Sequence, residues 1–161
     1  MRKAVAWIEK VQLMIGVAML VIFFTAVIIQ VSTRFLGISV IWTGDVARYS
    51  FIWAIFMGAS VMIYRKEHFK FDFLYTKFKG RLRASLSLFN DTVIFLFSFA
   101  LFYYGIDAVT NFWNYNWASL NFMKMGYVWI AVPVMGLTMM IYMAEHIVDD
   151  IKGLLKKEAK Q

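Results

Sequence analysis

The 161 residues are 61% hydrophobic and 19% aromatic, with a single proline and a mean hydropathy of +0.64, well above the roughly 45 to 50% apolar share of soluble domains. Only 17% are charged, and the charges gather in short stretches, so the chain reads as one whose solvent is lipid. The absence of cysteine excludes a disulfide framework, a thiolate metal site and thiol oxidation chemistry.

A hydrocarbon core of about 30 Å requires roughly 20 helical residues, and four apolar runs have that length. The first, Val11 to Thr33, is broken only by neutral polar residues such as Gln12, Thr25 and Gln30. Arg2 and Lys3 precede it as they would precede a signal peptide. The run exceeds a cleavable h-region and has no small-x-small cleavage site, so it reads as an uncleaved first helix. The second run is Val46 to Tyr64, with Arg48 in its first turn. The third, Leu86 to Ile106, carries Asn90 and Asp91 near its start. The fourth, Met125 to Ala144, contains Pro133, which kinks or loosens it.

Basic residues are retained on the cytoplasmic face. Three lie in the N-terminal segment (Arg2, Lys3, Lys10), seven between Arg65 and Arg83, and four in the tail from Lys152, so 14 of the 17 fall on one side of a four-span chain. The sequence therefore predicts an all-α membrane protein, a single domain of four transmembrane helices with both termini cytoplasmic. The net charge of +7 reflects that bias rather than a nucleic-acid footprint.

Between the second and third spans, Phe71, Leu74, Tyr75, Phe78 and Leu82 recur at helical spacing with basic residues on the other faces. This predicts an interfacial amphipathic helix over about 70–83, holding anionic lipid or bracing a partner subunit. The connection Val109 to Lys124 mixes four asparagines with Phe112, Trp113, Tyr115, Trp117 and Phe122. It suits either an aromatic belt or a docking surface for an external protein.

Charges within a membrane are costly and need a partner or a reason. Asp91 is either a polar anchor paired with a nearby Lys or Arg, or part of a buried contact between subunits. Asp45 and Arg48 are three apart, so they form a local cap and salt bridge or meet a partner; Thr43 is a candidate cap for the same helix. Ala54 and Gly58, extended by Ala59 and Ser60, make a small-residue stripe that admits another helix. His68 and His146 are not placed to face each other inside a bundle, which disfavours a haem anchor, and spans one and two carry no mid-membrane acid for a proton-coupled exporter. No phosphate loop, zinc spacing or catalytic constellation stands out, so the chain reads as a non-enzyme.

The order of motifs then becomes informative. Arg34-Phe35 ends the first span; Trp42-Thr43-Gly44-Asp45-Val46-Ala47-Arg48 opens the second, followed by Phe51-Ile52-Trp53, Phe56-Met57-Gly58-Ala59 and Arg65-Lys66-Glu67-His68, with Asp72 beyond. Asn90-Asp91, Trp129 and Val132-Pro133-Val134 follow in the third and fourth spans. This series resembles the small membrane subunit of tripartite ATP-independent periplasmic (TRAP) transporters, the DctQ-like family, over nearly the whole chain. Gly44-Asp45 stands where the family usually has two adjacent acids, and Met125-Gly126 where a proline often opens the fourth helix.

The resemblance implies a complex in the bacterial inner membrane. A periplasmic binding protein captures an organic anion, such as a C4-dicarboxylate or sialic acid, and a large multi-span subunit imports it with sodium. The small subunit pairs with the large one as a scaffold and carries no cofactor or metal, sodium coupling residing in the large subunit. Candidate interface or structural positions are Trp42, Asp45, Arg48, Trp53, Ala54, Gly58, Arg65, His68, Asp72, Asp91 and Pro133. The alternatives are a membrane anchor of a respiratory enzyme and a small autonomous multidrug-type transporter that uses Asp91 or Asp107.

Overall fold

The computed structural model describes residues 2–65 and 81–158. They form α1 (Arg2–Phe35), α2 (Trp42–Tyr64), α3 (Arg81–Phe112), a short α4 (Gly126–Trp129) and α5 (Ala131–Glu158); no strand forms among them. Four helical stretches are long and apolar enough to cross a membrane: α1, α2, α3, and α4 with α5 as one broken span. His68, Asp72 and the amphipathic pattern up to Gly80 lie outside the described residues.

α1 begins at Arg2, well before its apolar run, because no glycine or proline interrupts the chain until Gly16. At 1.5 Å per residue it is about 50 Å long, more than the core requires. It stops at Gly37, which adopts φ 71°. The Gly37 N–H donates to the Arg34 carbonyl (3.2 Å) and the Ile38 N–H to that of Thr33 (2.9 Å), a Schellman closure that needs a left-handed residue after the helix.

α2 starts at Trp42, one turn earlier than its apolar run. Its N-cap is Ile41, without a side-chain cap. Thr43 does not cap the helix: it is fully buried and its hydroxyl donates back to the Val40 carbonyl at 2.7 Å.

The helices stand in a bent row, α1 on α2, α2 on α5 and α5 on α3. Only 11% of the most apolar stretch of α1, and of α3, is buried, against 39% for α2 and for the α4–α5 span. The edge helices therefore present most of their apolar surface to lipid or to a partner, while the two central ones are sandwiched. Call the end of the bundle that carries both chain termini the terminal end and the opposite one the distal end. Near the terminal end the core is Val5, Ile63, Met135, Met139, Tyr142 and Met143; near the distal end it is Tyr49, Trp117 and Val128.

Glycine sets how closely the row packs. A Cβ on Gly136 would lie 2.6 Å from the Phe102 nitrogen, and one on Gly105 would lie 2.9 Å from Pro133, so α3 and α5 touch backbone to backbone. Pro133 has a second effect. Lacking an N–H, it cannot bond the Trp129 carbonyl, and the helix is interrupted at Ile130, between α4 and α5.

Candidate functional site

Polar side chains inside an apolar row need partners: Thr43, Ser50 and Ser98 bond a carbonyl of the preceding turn, while others reach a neighbouring helix. At the terminal end Glu9, 6% exposed, takes hydrogen bonds from Arg65 Nε (3.0 Å) and Nη2 (2.6 Å) through one carboxylate oxygen. One helical turn deeper, Gln12 Nε2 donates to Thr138 Oγ1 (2.9 Å), and Gln12 Oε1 accepts from the Tyr142 hydroxyl (2.7 Å). The Ser60 hydroxyl lies 3.3 Å from Thr138 Oγ1. Three helices, α1, α2 and α5, are thus tied by one buried cluster. The sequence singles out Arg65, and Ser60 only as part of a small-residue stripe; sequence reasoning missed Glu9, Thr138 and Tyr142, and Gln12 reads there only as a neutral interruption. Glu9 and Gln12, three apart and so on one face of α1, were the available signal, since polar groups in a span face protein.

A second clasp closes the distal end. The connection from α3 to α4 is not an open loop: the Trp117 N–H donates to the Met123 carbonyl (2.9 Å) and the Met125 N–H to that of Tyr115 (2.7 Å). Asp45, 4% exposed, accepts the Ser119 N–H at 2.8 Å, and the Ser119 hydroxyl donates to the Ile41 carbonyl at 3.3 Å. Trp53 Nε1 donates to the Tyr127 carbonyl at 3.0 Å, and the Tyr49 and Trp117 rings meet at 4.4 Å. The carboxylate that stands alone beside Gly44 therefore fastens the distal loop to α2.

No ion pair joins Asp45 to Arg48, so of the two alternatives open for them the local salt bridge does not form. Arg48 is exposed, its guanidinium 6.0 Å from the Tyr49 ring centroid. Trp42 is also exposed, at 42%. Ala54 and Gly58 face the flank where Gly16 of α1 packs: a Cβ on Gly16 would lie 3.2 Å from Met57 Cβ and 3.8 Å from the Ala54 carbonyl oxygen. A Cβ on Gly58 itself would meet nothing within 4 Å, so this chain alone does not use its smallness. Asp91 is buried, 2% exposed, with Oδ2 lacking a hydrogen-bond partner among the described residues.

An exposed line of α1 carries Trp7, Met14, Val21, Ile28 and Phe35, between 60% and 89% exposed, at intervals of seven, with Val17, Phe24 and Val31 between them. This is the 3-4 spacing with which helices pack side by side.

These are the parts of a protein that is held rigid internally and offers apolar edges outward. The chain matches the DctQ component of the tripartite ATP-independent periplasmic transporters over residues 23–153. It belongs to that family. As a DctQ component it is a small subunit of a transporter, not an enzyme. It is also 25% identical over 140 residues to a sialic acid TRAP transporter permease protein of Haemophilus influenzae (strain 86-028NP), an alignment covering 83% of this chain and 22% of that relative. The chain thus spans about a fifth of the relative's length.

Proposed function

We propose that this DctQ component is the stationary scaffold of a sodium-coupled importer of an organic carboxylate. It lies in the bacterial inner membrane with both termini cytoplasmic and pairs with a large multi-span subunit that carries the moving parts. A periplasmic binding protein delivers the substrate. The observation that carries the reading is the closure of a buried polar cluster between α1, α2 and α5. Gln12, Ser60, Thr138 and Tyr142 bond one another, whereas transport sites turn such polar groups toward a cavity.

The orientation rests on the 14 basic residues that the sequence groups in the N-terminal segment, the 65–83 connection and the tail. The amphipathic segment at 70–83 then braces the cytoplasmic side. The outward line of α1, with Gly58, Ala54 and Trp42 on α2, supplies the seat for the large subunit, and Arg48 and the clasped distal loop face the binding protein. Alignment with a fifth of a longer permease supports the role of one part in a larger membrane assembly. The substrate class is a sialic acid or a related carboxylate, by analogy with that sialic acid permease. Sodium binding and any cofactor requirement are assigned to the large subunit.

Reconstitution tests this. Co-expression with the large subunit yields a complex that takes up a carboxylate only when the binding protein and a sodium gradient are supplied. Uptake into proteoliposomes that contain this chain alone overturns the scaffold reading.

A further inference from the structure

Two recesses meet at the distal end. One is an apolar groove of about 610 Å³ between α1, α2 and the distal loop, with Met19, Ile22, Val46, Trp53 and Trp117 in its lining. The other, of about 550 Å³, is polar, bordered by Gln30, Thr33, Arg34, Ser39 and the turn at Gly37. They adjoin at the Ser119 clasp. Ile41 lines the polar recess and its carbonyl accepts the Ser119 hydroxyl, while the next residue, Leu120, lines the groove.

The groove runs lengthwise with the helices. Ile22 and Trp53 lie about 18 Å deeper along α1 and α2 than Arg34 and Ile41, at 1.5 Å per residue. Most of its lining is apolar, and the Ser50 hydroxyl is already donated to the Val46 carbonyl at 2.6 Å, so the groove suits an occupant that is mainly hydrocarbon. At the mouth the requirement reverses. Arg34 is exposed and has no acidic partner among the described residues. Trp117, which lines the groove, has a buried indole N–H without an acceptor among the described residues.

We propose that this end of the protein holds one phospholipid, with an acyl chain in the groove, the phosphate at Arg34 and an ester carbonyl available to Trp117. A long apolar slot leading to an unpaired cation has the polarity of a lipid along its length. An apolar helix from another subunit would leave the cation at the mouth without a counter-charge. The site lies on this chain alone and does not depend on which substrate the complex carries.

Native mass spectrometry of the purified full-length chain, stripped of lipid and then given palmitoyl-oleoyl phosphatidylglycerol, tests the proposal. One lipid per chain is expected to survive removal of detergent. Arg34→Gln and the groove-filling Met19→Trp should each lower its retention at least fivefold, with Val46→Phe as a second groove variant if Met19→Trp misfolds, and Lys10→Gln at the terminal end should leave it unchanged. Diacylglycerol of the same chains should bind at least fivefold less well, and glycerol 3-phosphate should not bind. Retention equal to the parent in Arg34→Gln and in a folded groove variant overturns the proposal. So does a photo-crosslinker at Ile22 that captures the large subunit in a co-purified complex lacking the lipid, because the groove is then a seat for protein.

Discussion

Glu9 and Arg65 face each other across the first helical hairpin, and both guanidinium hydrogen bonds fall on one carboxylate oxygen, at 3.0 and 2.6 Å. The two sides of the pair are unequal: the Glu9 side chain is 8% exposed and that of Arg65 is 43% exposed. Losing the arginine strands a carboxylate in a dry place, whereas losing the acid leaves a guanidinium that water reaches. Arg65→Ala should therefore cost about 2 kcal/mol, reduced from a fully buried pair because the arginine is partly solvated. Glu9→Gln, which keeps an acceptor, should cost about 1 kcal/mol or less. SDS-titrated unfolding of the two variants gives the comparison, and equal losses would place the pair in water.

The polar cluster one turn deeper behaves as a unit. Tyr142→Phe removes the donor to Gln12 Oε1 and leaves a buried amide oxygen unpaired. Interhelical hydrogen bonds in membranes average about 0.6 kcal/mol and reach about 1.7. The expected loss for Tyr142→Phe is about 1 kcal/mol, and Gln12→Leu alone should cost a similar amount because it orphans the Tyr142 hydroxyl. The double variant should cost less than the sum, since its two apolar replacements leave no orphan between them. A double-mutant cycle on unfolding free energies measures the coupling, and strict additivity would refute it.

Glycine positions separate contacts within the chain from contacts outside it. Gly136→Ala places a methyl group 2.6 Å from the Phe102 backbone nitrogen and must push α3 from α5, at about 1–3 kcal/mol for overpacking. Gly58→Ala meets nothing within 4 Å and should leave the isolated chain unchanged or slightly more stable, because alanine is the better helix former. Gly58→Leu should likewise spare the isolated chain but lower its yield of complex with the large subunit several-fold. Normal co-purification of Gly58→Leu would remove α2 from the proposed seat.

Apolar run length and basic-residue spacing made the number of spans legible, because both answer to the thickness and sidedness of a bilayer and not to tertiary contacts. The lateral order was hidden. The sequence of α1 reads as apolar on all sides, and nothing in it says that α1 neighbours α2 while α3 sits beyond α5. Gly105 and Gly136 carried no message until the opposite backbones were in view. Asp45 was found as a site, with a local pair to Arg48 and a contact to another subunit both open; within this chain the carboxylate bonds Ser119 across a long stretch of chain, a distant loop that helical spacing could not point to. Thr43 had the residue type of a cap, but its place inside the first turn let it bond back to Val40 instead.

The Asp45 clasp leads to the sharpest separation between a fastening and a docking surface. Asp45→Asn keeps an oxygen able to accept the Ser119 N–H, while Asp45→Ala leaves that N–H without its acceptor and releases the distal loop from α2. Hydrogen–deuterium exchange at the Ser119 amide should rise at least tenfold in Asp45→Ala and little in Asp45→Asn, because a loop opening sets the exchange rate. Arg48→Glu should not change that exchange, since Arg48 is exposed and bonds neither Asp45 nor Ser119. If Arg48 meets another protein, the same substitution lowers co-purification or binding-protein-dependent uptake while the loop stays protected. A rise in loop exchange in Arg48→Glu would instead assign Arg48 to holding this chain together, and the exposed end of α2 would lose its place in the proposed interface.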